Sequence, residues 1–137
     1  MFYVATALLF DSNGKLLIYL RDDKPEIAFA NHWDLFGGII EEGEKPEEAL
    51  VREVQEELGV TLTDYRKFSE YDSDDRIGKP NRKYVYYARL PMPVEELKLL
   101  EVGQALKGID LNERGNYKFA NILAQIIEDF ALSGIKV

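Results

Sequence analysis

The chain has 137 residues, of which 46% are hydrophobic and 31% charged, the proportions of an ordinary globular protein, and its length is that of one domain spanning 1–137. It has no cysteine and one histidine, His32, which excludes a disulfide framework, a thiolate zinc site, a cysteine nucleophile and a multi-histidine metal centre. A formal net charge of -8 argues against a protein that grips nucleic acid through its phosphates; a small phosphorylated ligand stays admissible if divalent cations lie between the two sets of negative charge.

In chain order, "FYVATALLF" (Phe2 to Phe10) reads as a buried strand rather than a signal peptide, because it lacks a basic leader and meets "DSNG" at once. Asn13-Gly14 predicts a hairpin into a second strand, Lys15 to Leu20. A mixed loop follows, then a short strand, Trp33 to Phe36, halted by Gly37-Gly38. Pro46 suits a helix first turn and Gly59 a C-terminal cap, and Leu50, Val51, Val54 and Leu58 form a buried stripe between them. "VTLTDYRKFSEYD" and "RKYVYYARLP" read as strands joined by a turn-rich loop, "SDDRIGKPN"; that loop lacks the spacing of a calcium-binding loop. "LKLLEVGQALKGIDLNERG" mixes loop and short strand. "NYKFANILAQIIEDFAL" predicts an amphipathic helix with Phe119, Ile122, Leu123, Ile126, Ile127 and Phe130 on one face. Strands, helix, strands and helix pack most naturally as a mixed sheet between helices, an α/β (α+β) fold. No apolar run is long enough to cross a membrane, and the expected compartment is the cytoplasm.

The stretch from Gly37 to Val60 is chemically unusual, with eight glutamates against Lys45 and Arg52. Like charges on one helix repel. Glu53, Glu56 and Glu57 stand at i, i+3 and i+4, on one helix face beside the apolar stripe. Carboxylates at a partly desolvated edge do not all stay ionised unless cations are bound. An oxygen-only ligand set suits Mg²⁺, or Mn²⁺, better than zinc. Arg52 adjoins the cluster and can orient a carboxylate by a charge-assisted hydrogen bond, and Gly37-Gly38 let backbone approach a ligand closely. The competing reading is a solvated acidic face with Glu48–Arg52 and Arg52–Glu56 pairs.

From Gly38 the chain reads G, five residues, Glu44, seven residues, then R-E-V-Q-E-E-L-G-V from Arg52 to Val60. This resembles, at every position, the signature of the Nudix hydrolases, G-x5-E-x7-R-E-U-x-E-E-x-G-U with U aliphatic. The match covers about a sixth of the chain. The resemblance implies an α/β/α sandwich with a mixed central sheet and hydrolysis of a nucleoside diphosphate linked to a group X. Carried over by position, Glu53, Glu56 and Glu57 would hold Mg²⁺ with help from the Gly38 carbonyl, Arg52 would orient the carboxylates, and Glu44 would brace the loop. It also implies a further glutamate on a loop beyond the helix; "LLEVGQAL" offers Glu101, as a fourth metal ligand or as the general base, with Glu53 its rival for the base. Arg21 stands where a phosphate-contacting arginine is common, against the bland reading of a surface pair with Asp22 or Asp23. Trp33 offers a base-stacking ring, against the bland reading of a core residue. Phe36 replaces the proline common before the Gly-Gly. The expected partner is a small nucleotide, leading with a (deoxy)nucleoside triphosphate split to monophosphate and pyrophosphate. A nucleotide sugar or other NDP-X, a non-catalytic nucleotide-sensing domain and an isomerase on a related scaffold are the other readings. The sequence leaves the oligomeric state open, a homodimer included.

Overall fold

The computed structural model describes residues 1–76 and 79–137, without the side chains of 75 and 76. Strand β1 (Phe2–Phe10) is its centre. β1 is apolar throughout because both its faces are covered. Ala5, Ala7 and Leu9 enter one apolar layer with Ala49, Leu50, Val54 and Leu58 of helix α1 (Pro46–Leu58). Leu8 and Phe10 enter the other with Leu123, Ile126, Ile127 and Phe130 of helix α2 (Leu123–Leu132). Period-two alternation thus hands successive β1 side chains to opposite helices, and the result is the expected α/β/α sandwich around a seven-stranded mixed sheet.

The pairing of β1 opens the sheet. β6 (Lys79–Arg89) runs parallel to it along its whole length, from Phe2 opposite Asn81 to Phe10 opposite Arg89, and β5 (Arg66–Arg76) flanks β6. On its other edge β1 meets β2 (Leu16–Leu20) only at Phe10 opposite Leu16. β4 (Phe36–Ile39) takes over that edge, Val4 opposite Ile39 through Ala7 opposite Phe36. β2 pairs instead with β3 (Trp33–Asp34) and β7 (Ala105–Ile109). Divergence of β2 from β1 leaves a cavity of about 190 Å³ between the two groups of strands.

The Asp11–Gly14 turn closes the first hairpin as expected: buried Asp11 accepts from the Asn13 and Lys15 N–H groups through Oδ1, both at 2.9 Å, and Gly14 takes φ 78°. Helix α1 begins at Pro46 and ends on Gly59 at φ 69°, whose N–H donates to the Gln55 carbonyl, also as expected.

Three boundaries differ from expectation. Gly37-Gly38 do not halt a strand; they lie inside β4, paired with Ala5 and Thr6. The final helix begins at Leu123 rather than Asn116. Residues 118–120 run instead as an extended edge beside β3: the Trp33 N–H donates to the Lys118 carbonyl (2.8 Å) and the Ala120 N–H to that of Trp33 (2.9 Å). Asn121 then turns at φ 58°. Phe119 stays buried, so the apolar periodicity was real but its backbone is not helical. β5 starts at Arg66 rather than Val60, and β5 and β6 continue into the expected "SDDRIGKPN" loop, with Ser73 opposite Asn81 and Arg76 opposite Lys79; the centre of that loop, 77 and 78, lies outside the described residues.

Candidate active site

Gly37 and Gly38 sit where β4 passes beneath α1, and each is required by its neighbours. At Gly37, φ is 146° and a Cβ would fall on the Ala5 carbonyl oxygen; at Gly38 it would fall on the Glu53 carboxyl. Only glycine lets β1, β4 and the acidic helix come this close.

The α1 face above them carries the three predicted carboxylates in graded burial. Glu57 is 5% exposed, and its Oε1 accepts the Gly37 N–H at 3.0 Å. Burial pushes its carboxyl up to about 9, against the pull of the Gly37 hydrogen bond and with the charges of Glu53, Asp34 and Glu56 adding to the rise. The Glu53 side chain is 17% exposed and its carboxyl is also raised, first by burial, with Arg52 opposing. The Glu56 side chain is 43% exposed.

Arg52 ties this face to the loop before it. Its Nε and Nη2 grip both Glu44 oxygens, at 2.8 and 3.0 Å, its Nη1 donates to Glu53 Oε1 at 2.9 Å, and its Nη2 also reaches the Ile39 carbonyl at 3.1 Å. Such a two-pronged grip is specific to a guanidinium. It holds the Glu44 carboxyl down at about 2, the Arg52 hydrogen bonds contributing most. Glu44 Oε1 also accepts the Glu41 N–H at 3.0 Å, closing the 41–44 turn.

Glu101 lies at the far end of the same helix. The Leu100 N–H donates to the Glu57 carbonyl at 3.0 Å, which docks its loop beside the last turn of α1, and the Glu101 side chain is exposed. Among the described residues no group of three or more acidic or histidine side chains converges closely enough to hold an ion: Glu57 is turned to Gly37 and Glu53 to Arg52. The donor set nevertheless fits a hard divalent cation. It is all oxygen, it lies on one helix face beside the Gly38 backbone, and burial penalises the uncompensated charge on Glu53 and Glu57.

The cavity opens on the other side of the same glycines. Gly37, Gly38 and Ile39 line it with Phe2, Val4 and Thr6 of β1, Lys83 of β6, and Leu123. Arg21 lines it too, but its partner is neither Asp22 nor Asp23: Nη1 donates to Asp34 Oδ2 at 2.7 Å and Nε to the Ala28 carbonyl at 2.9 Å. The Tyr19 hydroxyl donates to the same Asp34 oxygen at 3.2 Å. Burial raises the Asp34 carboxyl and Arg21 opposes the rise. Trp33 stands outside the cavity lining, edge-on to Tyr117 with ring centres 5.5 Å apart.

Asp34, Lys83 and Asn121 line the cavity without having been singled out from the sequence. Lys83 left a trace there. It alternates with Val85 and Tyr87 along a strand, so a charged side chain occupies an inward position.

A mixed sheet between two helices, with an arginine-braced acidic helix over a Gly-Gly strand, defines the class. The chain belongs to the Nudix family: the NUDIX domain matches residues 2–129. It is similar to an 8-oxo-dGTP diphosphatase of Escherichia coli K12, 37% identical over 75 residues, which are 53% of this chain and 57% of that protein. It is also similar to the nucleoside triphosphatase NudI of Escherichia coli, 41% identical over 59 residues, 43% of this chain and 40% of that one. The match thus spans about half the length of these curated relatives. Among solved structures, a MutT protein from Methanosarcina mazei Go1 superposes with a TM-score of 0.84 over 98% of this chain and 96% of its own, at 20% identity, which speaks for the fold alone. The Nudix domain of Shewanella oneidensis NrtR, solved with ADP ribose, superposes with a TM-score of 0.76 over 95% of this chain and 86% of its own, at 20% identity. Nudix hydrolases generally use divalent metal ions. No helix among the described residues is long and apolar enough to cross a membrane.

Proposed function

We propose that residues 1–137 act as one domain and hydrolyse a phosphoanhydride bond in a cytoplasmic nucleoside diphosphate linked to X, with Mg²⁺ as the favoured ion and Mn²⁺ as a substitute. The preferred substrate class is a (deoxy)nucleoside triphosphate, cleaved to monophosphate and pyrophosphate. The observation that carries this reading is the shared wall: Gly37 and Gly38 face the acidic helix on one side and line a cavity on the other. A nucleotide with its base in the cavity would lay its phosphates across these glycines toward α1. The names of the matched relatives, both of which act on nucleoside triphosphates, point the same way.

Glu53, Glu56 and Glu57, with the Gly38 carbonyl, would hold the ion. Once bound, divalent ions neutralise a diphosphate and acidify water. Glu44 fixes Arg52, whose Nη1 holds the Glu53 carboxyl beside the Gly38 backbone, and an entering ion would draw Glu53 and Glu57 from their present partners. Glu53 or Glu101 takes the proton of the water that attacks phosphorus. Nothing covalent forms between chain and substrate. Arg21 would approach the substrate from the cavity side.

The second reading is a nucleotide-sensing domain that binds through the same ions without turnover. Pyrophosphate release from a nucleoside triphosphate panel, in Mg²⁺ and in chelator, decides between them. Release that stops in chelator is expected. Binding without release identifies a sensor, and activity confined to nucleotide sugars moves the substrate to another NDP-X.

A further inference from the structure

Within the cavity, the polar wall is uneven. Arg21 and Tyr19 both donate to Asp34, and the Asn121 Oδ1 accepts the N–H of Ile122 at 2.7 Å. Lys83 is different in kind. It is 3% exposed, it lies on β6 opposite Val4, and it lines a cavity otherwise walled at that end by Phe2, Val4 and Leu123. An amino group carries donors only, so whatever else Lys83 bonds, it offers nothing but N–H to an entering group.

Asn81, two residues earlier on the same face of β6, fixes that amino group. Its Oδ1 accepts from Lys83 Nζ at 2.8 Å and from Ser73 Oγ at 3.3 Å, while its Nδ2 is buried with no hydrogen-bond partner. Flipping the amide would turn its N–H donors toward the lysine. The buried, unsatisfied Nδ2 is therefore the consequence of presenting an acceptor to Lys83. This makes Asn81 a positioning residue for the lysine.

We propose that Lys83 is a specificity-determining residue that reads a ring carbonyl of the substrate base, so that the cavity favours 6-oxopurines and 4-oxopyrimidines over their amino counterparts. The inference rests on the nucleotide reading above. An exocyclic amino group placed at Lys83 would set donor against donor and leave that amino group unpaired against a buried ammonium, and sites built on a hydrogen bond discriminate strongly against the analogue that lacks it.

The test compares the nucleosides 2′-deoxyinosine and 2′-deoxyadenosine, which carry no phosphate and whose bases bear an oxo and an amino group at ring position 6. Each is titrated calorimetrically into the full chain in chelator. The wild type is expected to bind the inosine nucleoside at least about tenfold more tightly. Lys83→Met should shrink that ratio to within about threefold while its melting transition stays cooperative, and Lys83→Arg, which keeps donors, should retain most of it. Equal affinities in the wild type overturn the proposal, as does an undiminished preference in a folded Lys83→Met protein. Because the titration needs neither metal nor turnover, a chain that hydrolyses no triphosphate still reveals whether Lys83 reads the base. Conversely, hydrolysis without base preference removes this inference and leaves the proposed reaction standing.

Discussion

The two faces of one sheet are built differently and were encoded differently. On the α1 face, Glu44, Arg52, Glu53, Glu56 and Glu57 fall within 14 consecutive positions, and their mutual geometry follows from one helical turn and one loop. On the α2 face, the cavity is assembled from β1, the segment before β3, β4, Lys83 and the turn at Asn121, so its shape depends on the whole topology. In the proposed reading, chemistry that needs fixed spacing lies on the local element and recognition lies where distant segments meet.

That contrast can be broken first at its chemical end. Glu57→Gln removes the most buried of the three helix carboxylates and should lower kcat/KM by more than the roughly 10–100-fold typical of residues one shell out from a metal, measured as pyrophosphate release. Arg52→Lys keeps the charge but loses the two-pronged grip on Glu44, and we expect a loss of about 10–100-fold with the ion requirement intact.

The two glycines sharpen the contrast because the same change does different things one residue apart. Gly37→Ala drives a Cβ into backbone at Ala5 from a left-handed φ and should destabilise the fold by about 1–3 kcal/mol in denaturant melts. Gly38→Ala meets the movable Glu53 side chain first. It should keep most of the stability and lose activity, because the carboxylate is displaced. The smallest effect belongs to Trp33: with its ring against Tyr117 and outside the cavity, Trp33→Phe should leave KM for the nucleotide within about twofold. A tenfold rise would return it to the binding surface.

Much of the α1 face was legible in the sequence. Pro46, Gly59 and the Leu50–Val54–Leu58 stripe define the helix to the residue, and the i, i+3, i+4 rule puts three acids on one side of it. The α2 face was not. Residues 116–122 carry a helical apolar pattern, yet hydrogen bonds to Trp33, far away in sequence, hold 118–120 extended. Gly37-Gly38 read as a stop in the sequence; their use here, close passage beneath Glu53 and beside Ala5, depends on neighbours that a linear reading cannot supply. Arg21 shows the same limit. Two acids follow it directly, but the ion pair forms with Asp34 across the β2–β3 pairing. Nothing in the local sequence marks Asp34 as the half-buried partner of Arg21.

The most direct measurement is divalent-ion uptake, followed by Mn²⁺ paramagnetic resonance with a non-hydrolysable triphosphate analogue present. Saturable binding by the wild-type chain is expected, and its loss in the Glu53→Gln, Glu56→Gln, Glu57→Gln triple variant. A wild-type chain that takes up no ion beside the nucleotide, or a triple variant that binds as well as the parent, would contradict the claim that these three carboxylates gather the ion.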